Sequence, residues 1–357
     1  MPNGTVKQCK VSSMKKVKVR NLIIGDGNIT VQSMTDLPVT DVEKTLEQIG
    51  RLSDAGCDIV RIAVPNAAAA EAFGQVRLHT DMPLVADIHF DYRQAVAAIE
   101  NGADKIRINP GNIPKQHLDK VIDCAKQHDV AVRIGVNGGS VNADALAKFG
   151  DKTVALVESL TEYVRYFEDK NFDNLVLSVK SSDVREMIKA NRLAAKLGYP
   201  LHLGVTEAGL LKQGIVKNSI GIGVLLSEGI GDTIRVSLTA DPVEEVYAAR
   251  DILLSLGLTD GVTFVSCPKC GRCSVDLTNA ADEIYRYVRG IRKNIKIAVM
   301  GCEVNGPGEC KDADLGMAGA NGKFVFFKKG NIYKTVPSDV ATQEFKKEID
   351  KLTNDNR

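Results

Sequence analysis

Leu84-Val85-Ala86-Asp87-Ile88-His89, then Tyr92 to Asn101, then Lys105-Ile106-Arg107-Ile108-Asn109: this stretch decides the fold. Its first part opens on the apolar run Leu84-Val85-Ala86, as a strand buried on both faces should, and its last part is a short Ile-bearing run, Lys105-Ile106-Arg107-Ile108. Between them lies an Ala-rich helical pattern that stops at Gly102, a residue suited to ending a helix. A strand, a helix and a second strand in that order make a parallel crossover unit.

The same unit repeats on both sides. Further candidate strands are Thr30–Ser33, Ile59–Ala63, Ala131–Ile134, Leu175–Val179, Leu201–Leu203 and Thr233–Ser237, which with Leu84–Asp87 and Lys105–Ile108 make eight. Helical patterns run over Asp41–Ala55, His117–Gln127, Val154–Asp169, Asp183–Leu197 and Val243–Leu256, several opening on Asp and closing near Gly. Eight strands alternating with helices over roughly 230 residues is the arithmetic of an α/β chain folded as a (β/α)8 TIM-type barrel. A doubly wound open sheet is the competing arrangement. No Gly-x-Gly-x-x-Gly follows the first strand to support it, and Gly221-Ile222-Gly223 reads as packing and turns.

A barrel of this kind places its site at the C-terminal strand ends. There stand Gln32-Ser33-Met34-Thr35, Arg61, Asp87 with His89, Arg107 with Asn109, Arg133 with Asn137, Ser178 with Lys180, His202 with Thr206-Glu207, and Arg235 with Ser237. One basic strand end is ordinarily a salt bridge to a helix. Several arginines on one rim repel each other unless an anion or carboxylate lies between them, and guanidinium groups bind phosphate bidentately. The rim therefore implies a small anionic, phosphorylated ligand. Arg61, Arg107, Arg133 and Lys212 are the expected binders with Asn137 beside them, and Lys217 is a weaker candidate. His89, with Asp87, and Glu207 are the expected acid–base residues. His117 and His128 read as solvated.

Bulk composition removes other classes. Net charge is +1, aromatics are 5% and tryptophan is absent, so neither a nucleic-acid surface nor a base-stacking platform is indicated. No apolar run approaches a membrane span, and the lysine-bearing stretch Met1–Arg20 lacks the apolar core of a signal peptide and reads as a frayed lead-in. The expected location is cytoplasmic.

After a short break near Leu258–Gly261 the pattern changes. A helix over Leu277–Arg292, a strand at Lys296–Met300, a strand pair at Lys323–Lys328 and Ile332–Val336 joined through Lys329-Gly330-Asn331, and a polar helix over Gln343–Leu352 outline a small α+β domain. The expected domains are 1–257 and 258–357. Five of the eight cysteines fall in the second, in Cys267-Pro268-Lys269-Cys270-Gly271-Arg272-Cys273 and Cys302-x7-Cys310. Clustered thiols in a chain of this class point to a metal rather than to disulfides. A zinc ribbon wants two Cys-x2-Cys knuckles, and the second is missing. The Cys-x2-Cys-x2-Cys opening favours iron–sulfur, with zinc or inert thiols as the other readings. Cys9, Cys57 and Cys124 read as free thiols without function.

Taken together, Cys267-Pro-x-Cys-Gly-Arg272, Met300-Gly-Cys302-x-Val-Asn-Gly-Pro-Gly-Glu309, Val85-Ala-Asp-Ile-His-Phe90, Ile106-Arg-Ile-Asn-Pro-Gly-Asn112, Arg133-Ile-Gly-Val-Asn137 and Thr206-Glu-Ala-Gly209 resemble the 4-hydroxy-3-methylbut-2-enyl diphosphate synthase family of the non-mevalonate isoprenoid pathway, in its bacterial two-domain form. The resemblance spans nearly the whole chain. It implies an iron–sulfur oxidoreductase that reductively opens 2-C-methyl-D-erythritol 2,4-cyclodiphosphate to the linear allylic diphosphate and water. It also implies a 4Fe-4S cluster on Cys267, Cys270, Cys302 and Glu309, the carboxylate being a labile ligand that leaves one iron open to substrate. Reduced flavodoxin or ferredoxin would be the electron donor, and a homodimer the assembly. Lys269 replaces the family's usual Thr at a position that is not a ligand, and Cys273 and Cys310 are additional thiols. The alternative to this enzyme is a zinc-stabilised phosphate-binding barrel without redox activity.

Overall fold

The computed structural model describes residues 15–137, 143–302 and 311–354. The chain divides between Leu258 and Thr259 into two compact units. The first is an eight-stranded parallel barrel. Its strands are β3 (Thr30–Met34), β4 (Ile59–Ala63), β5 (Leu84–Asp87), β6 (Lys105–Ile108), β7 (Ala131–Asn137), β8 (Leu175–Lys180), β9 (His202–Leu203) and β10 (Thr233–Ile234). Their spatial order is β8-β7-β6-β5-β4-β3-β10-β9. A single parallel bridge, Leu177 to Leu201, joins the two edges, so closure between β8 and β9 is narrow.

The outer ring consists of α1 (Val42–Ala55), α2 (Ala67–Leu78), α3 (Tyr92–Glu100), α4 (Lys115–Gln127), α5 (Ala143–Phe149), α6 (Lys152–Asp169), α7 (Val184–Ala194), α8 (Leu211–Ser227) and α9 (Pro242–Ser255). Five open on an aspartate whose side chain accepts from a backbone N–H of the first turn: Asp41, Asp91, Asp151, Asp183 and Asp241. Apolar faces of these helices and the outward strand residues fuse into one core, in which Phe73, Phe167, Leu52 and Leu225 are fully buried.

The sequence reading differs here in several places, and helices α5 and α8 are also additional to its helical patterns. Gly221-Ile222-Gly223 lies inside α8, not in turns. A Cβ at Gly221 would stand 2.9 Å from Val205 Cγ2, so glycine there lets the helix press onto the chain leaving β9. Helix α2 is additional; its Ala67-Ala68-Ala69-Ala70 opening carries no clear amphipathic stripe, and Asn66 caps it. Residues 17–24 are not a frayed lead-in. They form a hairpin of β1 (Val17–Val19) and β2 (Leu22–Ile24), turned through Arg20 at φ 55°. Val17, Val19 and Ile24 pack against Ile59, Val85, Ala131 and Val176, closing the N-terminal end of the barrel with an apolar plug.

Above the plug the interior turns polar. Gln32, Lys105, Arg133, His202 and Thr233 enter from five strands, and each is at most 1% exposed. The amide of Gln32, Lys105 Nζ, Arg133 Nε and Nη1, both His202 ring nitrogens and Thr233 Oγ1 have no hydrogen-bond partner among the described residues. Burial, then Arg133 and Arg61, hold the Lys105 amine well below its ordinary value.

The second unit is a five-stranded sheet in the order β11 (Val262–Ser266), β12 (Ile295–Met300), β13 (Leu315–Ala320), β14 (Lys323–Lys328), β15 (Asn331–Pro337). The first three strands are parallel and the last two antiparallel. Helices α10 (Leu277–Val288) and α11 (Ala341–Asn354) supply Ile284, Phe345 and Ile349 to a core shared with Ile297, Met317 and Phe326. Strands β11 and β13 are additional to those read from sequence.

The interior predicts a stability change. A buried cation with a depressed pKa binds fewer protons folded than unfolded, so its cost is present below pH 10.5 and fades as pH rises towards that value. Lys105→Met should therefore stabilise the ligand-free chain at pH 7 by ~1–3 kcal/mol, the penalty of an unsatisfied buried group. The gain should shrink towards pH 10. Thermal unfolding at both pH values checks this, and a destabilised variant at pH 7 would show the ammonium to be partnered.

Candidate active site

The strands that fill the barrel also carry its mouth. Residues further along the same strands, towards the C-terminal ends, line a cavity of about 140 Å³. Arg61 from β4, Asp87 from β5, Arg107 from β6, Arg133 from β7, Lys180 from β8 and Arg235 just past β10 converge there. Asp87 is the acceptor at the centre: Arg107 Nη1 donates to Oδ1 at 3.4 Å, and Arg61 Nε and His89 Nε2 stand 3.8 and 3.7 Å from Oδ2. Burial alone would raise the Asp87 carboxyl, but Arg61, Arg107 and His89 outweigh it, and it lies below its ordinary value. Arg235 is paired separately with Glu245, a buried residue of α9.

The remaining charge is one-sided. Counting the polar layer beneath, Arg61, Lys105, Arg107, Arg133, Lys180 and Arg235 face only Asp87 and Glu245 among the described residues. Burial pulls Arg61 down to about 10 despite Asp87. It also depresses Arg133 and Lys180, with the neighbouring guanidinium groups adding to the effect. An arginine does not surrender its proton in a protein. A site that penalises its own cations this way gains most when an anion enters. Backbone geometry leaves room for the lysine: a Cβ at Gly204 would stand 3.2 Å from Lys180 Nζ and 2.4 Å from the carbonyl oxygen of Arg235. Only glycine fits between the two basic strand ends.

Of the residues expected from sequence, Arg61, Arg107 and Arg133 line this cavity together, and His89 sits at its edge with its side chain 52% exposed. Glu207 is exposed, at φ 52°, immediately after the lining residue Thr206. Asn137 ends β7, and its side chain lies outside the described residues. Lys212 is exposed in the first turn of α8 and is not among the lining residues, and Lys217 is half-buried further along that helix. Lys180 and Arg235 occupy the cavity where sequence reasoning placed Lys212. Lys180 stands among the strand-end residues of the sequence, closing the mainly apolar run Leu175–Val179 that Ser178 interrupts, but that position alone did not rank it above Lys212. The role of Glu245 had no local signal, because α9 meets β3 and β10 only in the folded barrel.

In the second unit the thiols gather at the C-terminal ends of two adjacent parallel strands, where open α/β sheets bind ligands. Cys267 follows β11, and Gly301-Cys302 follows β12, with Ser266 in register with Val299. The Gly301 N–H donates to Cys267 Sγ at 3.3 Å, and a Cβ on Gly301 would come within 2.8 Å of Cys273 Sγ. Cys267 is half-buried, Cys270 exposed and Cys302 buried, and none of the described cysteines is in a disulfide. Among the described residues no three His, Cys, Asp or Glu side chains close on one metal position. Glu309 and Cys310 lie outside the described residues. Three soft sulfur donors on neighbouring loops, one already accepting a backbone N–H, are a donor set that suits an iron–sulfur group. Cys57 and Cys124 are buried in the barrel unit, the thiol of Cys57 pushed up to about 12 by burial, and neither bears on this region.

The cavity makes a direct prediction. Inorganic pyrophosphate should bind the intact chain, and Arg133→Met and Lys180→Met should each weaken it by ~1.5–3 kcal/mol, the range for a charged hydrogen bond. Lys212→Met should leave the affinity unchanged. Calorimetric titration reads all three, and an equal loss at Lys212 would return that residue to the site.

Comparison with known proteins agrees with this architecture. Residues 14–250 match the GcpE TIM-barrel domain and residues 263–351 the GcpE protein C-terminal domain. The 4-hydroxy-3-methylbut-2-en-1-yl diphosphate synthase (flavodoxin) of Caldanaerobacter subterraneus is 52% identical over 343 residues, covering 95% of this chain and 97% of that protein. The enzyme of the same name from Clostridium acetobutylicum is 52% identical over 345 residues, covering 95% and 98%. Among solved structures, dihydropteroate synthase from Xanthomonas albilineans superposes with a TM-score of 0.52 at 19% identity, over 68% of this chain and 98% of that one. The Stenotrophomonas maltophilia dihydropteroate synthase gives 0.53 at 17%, over 68% and 97%. These two likenesses concern the barrel fold alone. With both of its units matched and relatives half identical along almost their full length, the chain belongs to the GcpE family, that of the 4-hydroxy-3-methylbut-2-en-1-yl diphosphate synthases.

Proposed function

We propose that the chain catalyses the reductive ring opening and dehydration of 2-C-methyl-D-erythritol 2,4-cyclodiphosphate to 4-hydroxy-3-methylbut-2-enyl diphosphate. The observation that carries this reading is the uncompensated cationic cavity at the barrel mouth, in a chain whose second unit gathers thiols at paired strand ends. The first unit binds the substrate and the second the redox group. Arg61, Arg107, Arg133, Lys180 and Arg235 hold and orient the diphosphate, with Asn137 beside them. Asp87 fixes Arg61 and Arg107 so that their remaining N–H groups face the ligand. His89, next to Asp87 and partly exposed, holds a proton for the oxygen that leaves as water, and Glu207 is the second acid–base candidate. Low dielectric around the buried cations strengthens each contact and excludes competing water.

Cys267, Cys270, Cys302 and Glu309 are the residues that would hold a 4Fe-4S cluster. When bound, the cluster would pass the two electrons of the reaction, one at a time, from the electron donor to the substrate. The zinc-stabilised, non-redox alternative gains no support from relatives named as flavodoxin-linked synthases. Flavodoxin, part of the names of those relatives, is accordingly the electron donor we assign. Leu210, Val216 and Ile220 leave apolar side chains exposed on and just before α8, which favours a homodimer covering that face. Among the described residues no helix is long and apolar enough to cross a membrane, and the free thiols suit the reducing cytoplasm.

Anaerobic purification tests this reading. Iron and acid-labile sulfide should be present in equal amounts, and Cys302→Ser should lose both, while Cys273→Ala and Cys310→Ser should retain cluster and turnover. Glu309→Ala should cripple turnover. Stoichiometric zinc in a colourless protein would sink the cluster assignment.

A further inference from the structure

We propose that Glu245 is a positioning residue of the anion site, a buried carboxylate on the outer helix α9 that orients Arg235 and seals the β3–β10 seam above its last backbone pair. The inference rests on reading the mouth as a phosphate site. The β3–β10 ladder is short, Thr233 with Thr30 and Ile234 with Val31, and it stops below the mouth. Beyond it Ser33, two residues on along β3, and Arg235, the residue after β10, are joined instead through Glu245. Its Oε2 accepts from Ser33 Oγ at 3.0 Å and Arg235 Nε at 3.2 Å. Its Oε1 accepts from Arg235 Nη2 at 3.2 Å and the backbone N–H of Leu238 at 3.0 Å. One side chain, 3% exposed, thereby fixes β3, β10 and the chain leading into α9, which carries the cavity residue Ser237.

The geometry also settles which part of Arg235 is left for a ligand. Nε and Nη2 form a fork on the carboxylate. Nη1 stands 3.8 Å from Met34 Sδ, a sulfur that also receives Arg61 Nη2 at 2.8 Å. The thioether is a weak acceptor, so Nη1 remains open to an oxyanion in the cavity that Arg235 lines. Free of Glu245, the guanidinium would rotate on its flexible stem and add a full unpaired charge beside Arg61. Arg235 already lowers the Arg61 pKa, after burial and against the pull of Asp87.

Glu245 is accordingly expected to act through Arg235 and not independently of it. The test is calorimetric titration of the full chain with inorganic pyrophosphate, for wild type, Glu245→Gln, Arg235→Met and the double variant. In Glu245→Gln an amide N–H2 faces groups that are themselves donors, so this variant should weaken binding about tenfold, which is ~1.4 kcal/mol. Arg235→Met should weaken it at least as much, and the double variant should be no weaker than Arg235→Met alone, the signature of two residues on one path. A carboxylate that only stabilises the fold would lower the melting temperature while leaving the dissociation constant of the folded protein unchanged, and that result overturns the inference. So does binding by Glu245→Gln as tight as wild type or tighter, or a double variant whose losses multiply. Should Glu245→Gln fail to fold, Ser33→Ala keeps the charge and removes one anchor. It should weaken pyrophosphate by about threefold through a looser fork, and an unchanged affinity there overturns the proposal. A wild-type chain that does not bind pyrophosphate overturns the phosphate reading itself, and is recognised before any variant is compared.

Discussion

Asp87 sits between Arg61 and Arg107 at a barrel mouth where, among the described residues, Arg133, Lys180 and Arg235 also converge and Glu245 is the other carboxylate. The arrangement of the site follows from that imbalance. Each guanidinium loses hydration when it enters the barrel, and one carboxylate cannot compensate several of them. Asp87 keeps two arginines in place, Glu245 keeps a third, and Arg133 and Lys180 remain electrostatically exposed to each other. The folded chain thus stores unfavourable electrostatic energy where an anionic ligand would relieve it. Binding affinity and ligand-free instability share one source.

The surrounding fold makes such a site tolerable. A parallel barrel closes its N-terminal end with an apolar hairpin plug and confines the polar layers to the other half. Its hydrogen-bonded strands hold the cationic side chains at fixed spacing, so repulsion cannot be relaxed by moving them apart. Outer helices contribute where the backbone ladder gives out, as α9 does between β3 and β10. Glycine at position 204 keeps two basic strand ends close without a clash. The second unit uses a similar rule on a smaller scale: its thiol loops leave the carboxyl ends of β11 and β12, adjacent and parallel, and Gly301 lets two sulfurs approach one backbone segment.

Much of this was legible in the sequence. Strands Ile59–Ala63, Leu84–Asp87 and Lys105–Ile108 were readable to the residue, because short runs rich in Ile, Val and Leu between turn signals are what barrel strands require. The same rule exposed Arg61, Arg107 and Arg133, since a charged residue at or within such a run has few places to go except the barrel interior. The cysteine spacing and the longer motifs indicated the family, which the full-length relatives then showed. What local pattern missed was either short or distant. The hairpin Val17–Ile24 is only three residues per strand, and its burial depends on strands far along the chain. Lys180 ends β8 and Lys212 opens α8, and no sequence period tells which of the two reaches the cavity.

The sequence by itself determined the alternation of strands and helices, the division near residue 258, the thiol loops and the basic character of the strand ends, because these depend on neighbours within a few residues. Tertiary structure alone decided which cations share a cavity, that Asp87 would serve two arginines, and that Glu245 would reach across from α9 to Ser33 and Arg235. Those pairings are set by barrel closure, which brings residues some two hundred positions apart within hydrogen-bonding distance, and electrostatic energy depends on that distance and on burial rather than on order along the chain.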